Sequence, residues 1–486
     1  MAPPVIVLLG PSGLAAAQKI RAALPDCRLD GPCERFPDGM LAVTYDDLVQ
    51  HLGELFREGH PIVALCASGI VIRALAPWLT DKRTEPPVVA VAQDGSVAVP
   101  LLGGHHGANR LACEIAEALG GQAAITTAGD LRFDLALDEP PPGWVTPDPA
   151  AAKPIMSALL DGRPVALEVE AGDPSWLTAG GARFAESSDL EILVTDRDVA
   201  GSPQRLVIHP KVLALGVGCE RGASPGELIE LAIATLADHG LAAEALACVA
   251  SIELKAAEPA IHALAEHFDL PVRFLPAETL EAEADRLANP SPVVFAATGC
   301  HGVAEGAALA AVGAAGGLVV EKTKSAHATC AVARAHAPLD PDQVGRPRGH
   351  LAIVGFGPGA DVWRTPEANA LLRQASAWVG YHGYLDLIEP LRVANTECHP
   401  FALGEEETRA RCALDLAAAG RRVALVSSGD AGIYAMAALV FELLDRTDQP
   451  AWQRIAVSVS PGISALQAAA ARAGAPLGHD FCAISL

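Results

Sequence analysis

The clearest chemical signal in this chain is Leu351-Ala-Ile-Val-Gly-Phe-Gly-Pro-Gly359, an apolar β-branched run that breaks into glycines. Such a run reads as a buried parallel strand, and glycines at its end let main chain approach a ligand where side chains would block it. Gly355, Gly357 and Gly359 therefore mark a ligand-binding strand end. Gly355-x-Gly357-x-x-Ala360 also fits the loose dinucleotide fingerprint, which requires a helix opening directly on the glycines. Here Thr365 is the natural N-cap and Pro366 the first helical residue, with helix formers from Glu367 to Trp378, so a loop intervenes. That spacing disfavours a nicotinamide cofactor. Val423-Ala-Leu-Val-Ser-Ser-Gly-Asp-Ala-Gly-Ile-Tyr434 and Val457-Ser-Val-Ser-Pro-Gly-Ile-Ser-Ala465 repeat the order strand, glycine turn, helix. Three strand ends are thus expected to converge on one crevice.

Taken with Tyr381-His-Gly-Tyr384 and Gly474-Ala-Pro-Leu-Gly-His-Asp-Phe481, residues 351–486 resemble the precorrin-3B C(17)-methyltransferases of cobalamin biosynthesis, which have the tetrapyrrole methylase fold. The resemblance implies two lobes with S-adenosylmethionine between them, of which this stretch matches the first. Leu486 is then expected to lie inside a domain, and this chain alone to transfer methyl weakly or not at all unless a second polypeptide supplies the other lobe. Methyl transfer from a sulfonium to carbon is an in-line displacement, accelerated mainly by aligning the partners and excluding water. On this resemblance Gly355, Gly357, Pro358 and Gly359 form the loop beneath the donor, Ser428, Gly429, Asp430 and Tyr434 line its pocket, and Pro461, Gly462 and Ser464 close the cleft. Asp430 either bonds the methionine amine or ribose or caps a helix. Tyr381, His382 and Tyr384 either face the tetrapyrrole or pack at a helix end.

The front of the chain has a resemblance of its own. Ala67-Ser-Gly-Ile-Val-Ile-Arg73, Asp81-Lys82, Leu101-Leu-Gly-Gly-His-His-Gly-Ala-Asn109 and Ile125-Thr-Thr127 with Asp130 are similar to the N-terminal domain of the cobalt-precorrin-5A hydrolase family. Gly216-x-Gly218-Cys219-Glu-Arg221, Ser251-Ile-Glu253-x-Lys255, Gly299, Val303-Ala-Glu305 and Lys322 are similar to its C-terminal domain. What this implies is opening of a lactone and loss of the excised meso carbon as acetaldehyde. That step needs a general base for water, donors for the oxyanion and cations for the substrate carboxylates. His105 or His106 is the candidate base, because an imidazole titrates near neutral pH, and Glu253 or Glu305 is the alternative that orients water. Arg73, Lys82, Asn109, Lys255 and Lys322 are the candidates for acetate and propionate arms. Each has a plainer reading: hydrogen bonding at a helix start for the histidines, a solvated partner of Asp81 for Arg73, a strand-face ion pair for Glu253 with Lys255. Adjacent histidines point apart and no third ligand is suitably spaced, so no metal site is expected.

The elements that must position these groups read as a multidomain α/β chain: two hydrolase-like α/β domains with a small middle domain, then the N-terminal α/β lobe of a tetrapyrrole methylase. Residues 1–135 alternate helices with strands at Val5 to Leu9, Ile62 to Ala67, Val88 to Ala92 and Ala123 to Thr127, and Asp94-Gly95 signals an antiparallel hairpin. Residues 136–208, the middle domain, open on Glu139-Pro-Pro-Pro-Gly143 and hold strand-like pieces at Val165 to Glu170 and Leu190 to Thr195. Residues 209–335 form a further α/β unit, with a helix announced by a Ser224/Glu227 capping box, Pro225 in its first turn and Gly240 past its end. Residues 336–349 read as a linker, and 350–486 as the methylase lobe.

Length and composition set the outer limits. At 486 residues the chain should hold about three domains. A formal charge of −23 argues against nucleic-acid or membrane partners, and 4% aromatics leave little for base stacking. The apolar run Gly306 to Val320 is short and reads as packed helix and turn. Met1 to Gly10 has no basic stretch and leads straight into a strand, so a cytoplasmic protein is expected. Eleven cysteines without a C-x-x-C pair read as reduced core thiols. The tetrapyrrole is the expected partner, with a homodimer as one possible assembly. Two rival classes stand beside the enzyme: a carrier that holds a precorrin unchanged, and an oxidoreductase using the Gly355 loop.

Overall fold

A computed structural model describes residues 3–24, 27–37, 41–81, 84–104, 107–133, 135–393, 395–446, 449–475, 477–478 and 482. The first sheet has seven strands in the order Val43–Tyr45, Arg28–Pro32, Val5–Leu8, Ile62–Leu65, Val88–Val91, Val97–Leu102, Gln122–Ala123. Its centre is packed on both faces: Ile6, Leu8, Val63 and Leu65 belong to one core and Val5, Val7, Ile62 and Ala64 to the other. Continuous apolar runs, rather than alternation, are the sequence consequence. Val88–Val91 and Val97–Leu102 pair antiparallel around Asp94-Gly95, as the hairpin signal requires. The strand expected from Ala123 to Thr127 is only Gln122–Ala123, because beyond it the chain turns into the helix Ala128–Phe133.

A four-stranded sheet follows in the order Trp144–Val145, Arg205–Pro210, Glu191–Val194, Ala166–Val169. The next has five strands, Val272–Leu275, Leu246–Ile252, Leu213–Cys219, Ala328–Arg334 and Gly317–Lys324, parallel at one side and antiparallel at the other. The helix Val303–Val312 lies so close across it that a Cβ on Gly216 would stand 2.0 Å from the Ala304 carbonyl oxygen. Gly216 is therefore fixed by helix–strand packing. The helix Pro225–Asp238 begins at Ser224 as predicted, but the capping box does not form. Glu227 instead accepts from the Ser325 hydroxyl and the His327 amide, tying down the tip of the last hairpin. Residues 336–349 are not a free tether. Arg273 donates to the Val344 carbonyl at 2.6 Å and the Asp342 carbonyl at 3.2 Å, and Phe274 bridges to Arg346.

The final sheet is wholly parallel, in the order Glu397–Phe401, Ala377–Tyr381, Arg422–Ser427, His350–Gly355, Ala456–Ser460. Thr365 caps the helix Pro366–Gln374 by accepting from the Ala368 amide at 3.1 Å. The helix stops short of Trp378, which sits fully buried in a strand and donates its indole N–H to the Leu372 carbonyl at 2.8 Å. The strand expected from Phe481 to Leu486 lies outside the described residues. Among the described residues no single helix is long and apolar enough to cross a membrane. The pair Pro292–Thr298 and Val303–Val312 passes that test only together, bent by 77°, and most of the second helix is buried in protein.

Candidate functional site

In the final sheet the three glycine turns meet. Gly357 and Gly429 exchange main-chain hydrogen bonds at 3.1 and 2.8 Å, both with left-handed φ angles of 82° and 67°. Gly462 is wedged against them, for a Cβ there would stand 2.1 Å from the Gly429 carbonyl oxygen and 2.6 Å from that of Gly355. A Cβ on Gly355 would in turn meet Gly429 O at 2.7 Å and Ala431 N at 2.8 Å. Bare main chain is thus needed first so that the loops can pack on one another. Asp430 locks the arrangement by accepting from the Gly432 amide at 2.8 Å and the Gly462 amide at 3.1 Å. It caps no helix: the next one, Met436–Asp445, starts from Ala435.

Beside this knot, at the carboxyl end of the central strand Arg422–Ser427, opens a cleft of about 730 Å³. Ser428, Gly429, Asp430, Tyr434 and Ser464 line it, and Tyr381 and Tyr384 stand on its wall. Tyr434 is 75% exposed there with φ of 50°, a left-handed conformation that costs an aromatic residue energy and is commonly kept at functional sites. Ser464 commits its hydroxyl to a capping box with Gln467, so it shapes the wall through the helix Ala465–Ala473. Among the described residues that line the cleft, Gly355, Gly357, Pro358, Gly359, Pro461 and Gly462 do not appear. Gly355, Gly357 and Gly462 support the Ser428–Asp430 turn from behind, whereas a Cβ on Gly359 would meet open space. His382 is likewise off the lining, its ring 4.3 Å from that of Tyr381, while Tyr384 packs edge-on to Phe356. Sequence reasoning missed Arg409, Glu406, Met436 and Ser427, all on the lining.

Of the described front-motif candidates the structure brings Glu305 and Lys322 together. His105, His106 and Lys82 lie outside the described residues. Asn109 donates to the Thr127 hydroxyl at 2.8 Å, and Arg73 donates to the Gly69 carbonyl at 2.9 Å. Glu253 and Lys255 sit in a 3₁₀ turn and do not pair with each other, because the turn sends them apart. Glu253 meets Arg346 at 2.7 Å and Arg454 at 3.9 Å, whereas Lys255 meets Glu258 at 3.6 Å. Glu305 is buried, with its oxygens accepting from the Asn289 amide and side chain and the Lys322 amide, each at 2.9 Å. Burial pushes its carboxyl up, but the Lys322 and Asn289 donors and the Lys322 charge outweigh that and hold it below the ordinary carboxylate value. The Lys322 ammonium itself donates to the Asn289 carbonyl at 3.0 Å. No group of three or more metal-ligating side chains occurs among the described residues.

Among the described residues four sheets, the last of them wholly parallel with a ligand-sized cleft at its strand ends, define a multidomain α/β protein with a candidate ligand site. Residues 50–130 match the cobalamin synthesis G N-terminal family, 141–210 the cobalamin biosynthesis central region, and 213–333 the cobalamin synthesis G C-terminus. Residues 350–486 match the tetrapyrrole (corrin/porphyrin) methylases. A cobalt-precorrin-5A hydrolase of Priestia megaterium is 30% identical over 303 residues, 58% of this chain and 80% of that protein. Protein CobE of Sinorhizobium sp is 58% identical over 121 residues, 25% of this chain and 79% of that protein. A precorrin-3B C(17)-methyltransferase of Sinorhizobium sp is 46% identical over 142 residues, 28% of this chain. The chain spans 53% of that methyltransferase's length. The chain belongs to the cobalamin synthesis G family, a hydrolase-like region of cobalamin biosynthesis joined here to a methyltransferase-like region.

Proposed function

We propose that this chain is a bifunctional enzyme of corrin-ring assembly. Its last lobe, residues 350–486, takes part in methylation of precorrin-3B at ring carbon 17 with ring contraction, using S-adenosylmethionine. Residues 1–335, as units 1–135, 136–208 and 209–335, open a precorrin lactone and release acetaldehyde. The observation that carries the reading is the cleft of about 730 Å³ at the ends of parallel strands, walled by Ser428, Asp430, Tyr434 and Tyr381. That volume suits a nucleoside-sized ligand plus an edge of a larger one, within the ~300–1,000 Å³ usual for ligand sites. The buried Ser427 hydroxyl and two nitrogens of Arg409 lack partners in its lining, so polar capacity is available to a bound group.

S-Adenosylmethionine would supply an electrophilic methyl on sulfur. What the chain contributes is alignment: the turn Ser428–Asp430, held by Gly462 and Gly357, fixes one wall, and Tyr381 and Tyr384, whose rings meet edge to face at 5.1 Å, form the aromatic part of another that the macrocycle would meet. For lactone opening, His105 or His106 serves as base. Glu305, already hydrogen-bonded on both oxygens, holds residue 289 and the strand at 322 in place, and Glu253 is engaged with Arg346. The purified chain is to be incubated separately with S-adenosylmethionine plus precorrin-3B and with the lactone precursor. Released acetaldehyde is the expected result of the second incubation, and weak or no methylation by this chain alone that of the first, rising when a polypeptide carrying the other methylase lobe is added; a bound chromophore whose spectrum stays constant in both would leave only a carrier.

A further inference from the structure

The helix Glu406–Ala418 runs behind the cleft and turns Arg409 inward, where the residue is 5% exposed. A guanidinium stays charged at any physiological pH and carries five N–H donors, so burial obliges it to find acceptors. Arg409 finds few. Its Nη2 stands 3.4 Å from Glu406 Oε1 and 3.2 Å from the Met436 sulfur, both poor contacts, and Glu406 is itself 45% exposed. Nε and Nη1 are buried with no partner, and the Ser427 hydroxyl, on the same lining at the end of the central strand, is in the same condition. A buried cation with idle donors beside a ligand-sized cleft is destabilising to the empty protein, and a bound anion relieves it.

We propose that Arg409, with Ser427, is a carboxylate-receiving subsite of this cleft. It rests on the reading that the cleft holds the methyl donor and the tetrapyrrole, each of which bears carboxylates: one on the methionine part of S-adenosylmethionine, several on the acetate and propionate arms. The planar fork of Arg409 matches a carboxylate in two-point contact, which a lysine cannot reproduce. Arg409 is a positioning residue for whichever carboxylate enters.

The test is equilibrium binding of four probes to the full chain: S-adenosylmethionine, its decarboxylated analogue, uroporphyrin and the uroporphyrin octa-amide. Arg409→Met keeps length and apolar packing while removing a charge that only the half-exposed Glu406 offsets, so its melting temperature is expected to equal or exceed that of the wild type. Its affinity for the carboxylate probe that uses the subsite should fall about tenfold to a hundredfold, with the matched carboxylate-free probe unaffected. Arg409→Lys, which retains the charge, should show a smaller loss on the same probe. A loss confined to S-adenosylmethionine assigns the donor's carboxylate, and one confined to uroporphyrin assigns a ring arm; either upholds the proposal. Wild-type affinity of Arg409→Met for all four probes overturns it and leaves the cleft reading standing. So does a lowered melting temperature with uniform loss across the four, the mark of a structural residue. A wild-type chain that binds neither S-adenosylmethionine nor uroporphyrin defeats the cleft reading, and the subsite with it.

Discussion

Glu305 and Arg409 show how burial decides what a charged residue does. Glu305 stood out in the sequence as a candidate to orient water, yet its carboxylate receives three N–H donors at 2.9 Å and is held ionised by them. Its folded pKa lies below the unfolded value, so the stability it contributes is present above the unfolded pKa and is lost as pH falls through the folded one. Glu305→Gln should lower stability by about 1–3 kcal/mol near neutral pH, with the gap to wild type closing in acid, as read by urea unfolding across pH. A gap that widened in acid would reverse the assignment. Arg409, by contrast, was hidden: in Glu405-Glu-Glu-Thr-Arg-Ala-Arg411 it looks like one more member of a solvated helix face, and only the fold turns it inward. Ser428, Asp430 and Tyr434 were legible because a strand that ends in a glycine turn leaves little doubt about where its next residues point.

At the scale of elements, the strand–glycine–helix pattern carried most of the information. It located the strands His350–Gly355, Arg422–Ser427 and Ala456–Ser460, which the fold sets side by side with their glycine turns in contact. What the pattern hid was the reason for the glycines, which is loop-on-loop packing as much as room for a ligand. Gly462→Ala puts a methyl 2.1 Å from a carbonyl oxygen. It should destabilise the chain by about 1–3 kcal/mol and weaken S-adenosylmethionine binding, measured by thermal shift with and without the ligand. Gly226→Ala, in the helix Pro225–Asp238 where the nearest neighbour is 3.8 Å away, should instead stabilise by about 0.5–1 kcal/mol. Equal effects of the two would show that close approach is not what fixes Gly462. The edge strand Val43–Tyr45 and its neighbour Arg28–Pro32 gave no apolar run to read, since charged and polar residues and a proline occupy them. The Ser224/Glu227 motif misled because Glu227 has a better use across the sheet, a tertiary contact invisible in local spacing.

Across the whole molecule, the units are joined by ion pairs and not only by covalent links. Asp196, 1% exposed beside the four-stranded sheet, takes both ends of the Arg334 fork from the next one, at 2.5 and 2.8 Å. Glu253, Arg346 and Arg454 join that sheet's unit to the final lobe. Removing one member of a buried pair costs about 3–5 kcal/mol, less where a partner is partly wet as Arg334 is, so Asp196→Asn should lose about 2–3 kcal/mol in chemical denaturation. An unchanged midpoint would mean the two units do not stabilise one another. Such contacts were illegible in the sequence, for 138 residues separate Asp196 from Arg334 and neither carries a motif. Individual strands of the separate sheets were legible, Ile62–Leu65, Glu191–Val194 and Arg422–Ser427 among them, because each is an apolar run of its own.

The central claim, that the methyl donor lies in the cleft of the last lobe, is tested most directly by ultraviolet crosslinking of radiolabelled S-adenosylmethionine to the full chain followed by tryptic mapping. Cleavage after Arg422 and Arg446 gives one peptide, Val423 to Arg446, that holds Ser428, Asp430, Tyr434 and Met436. The label is predicted on that peptide and displaced by S-adenosylhomocysteine. Label confined to peptides before residue 335, or none that competitor displaces, would contradict the account.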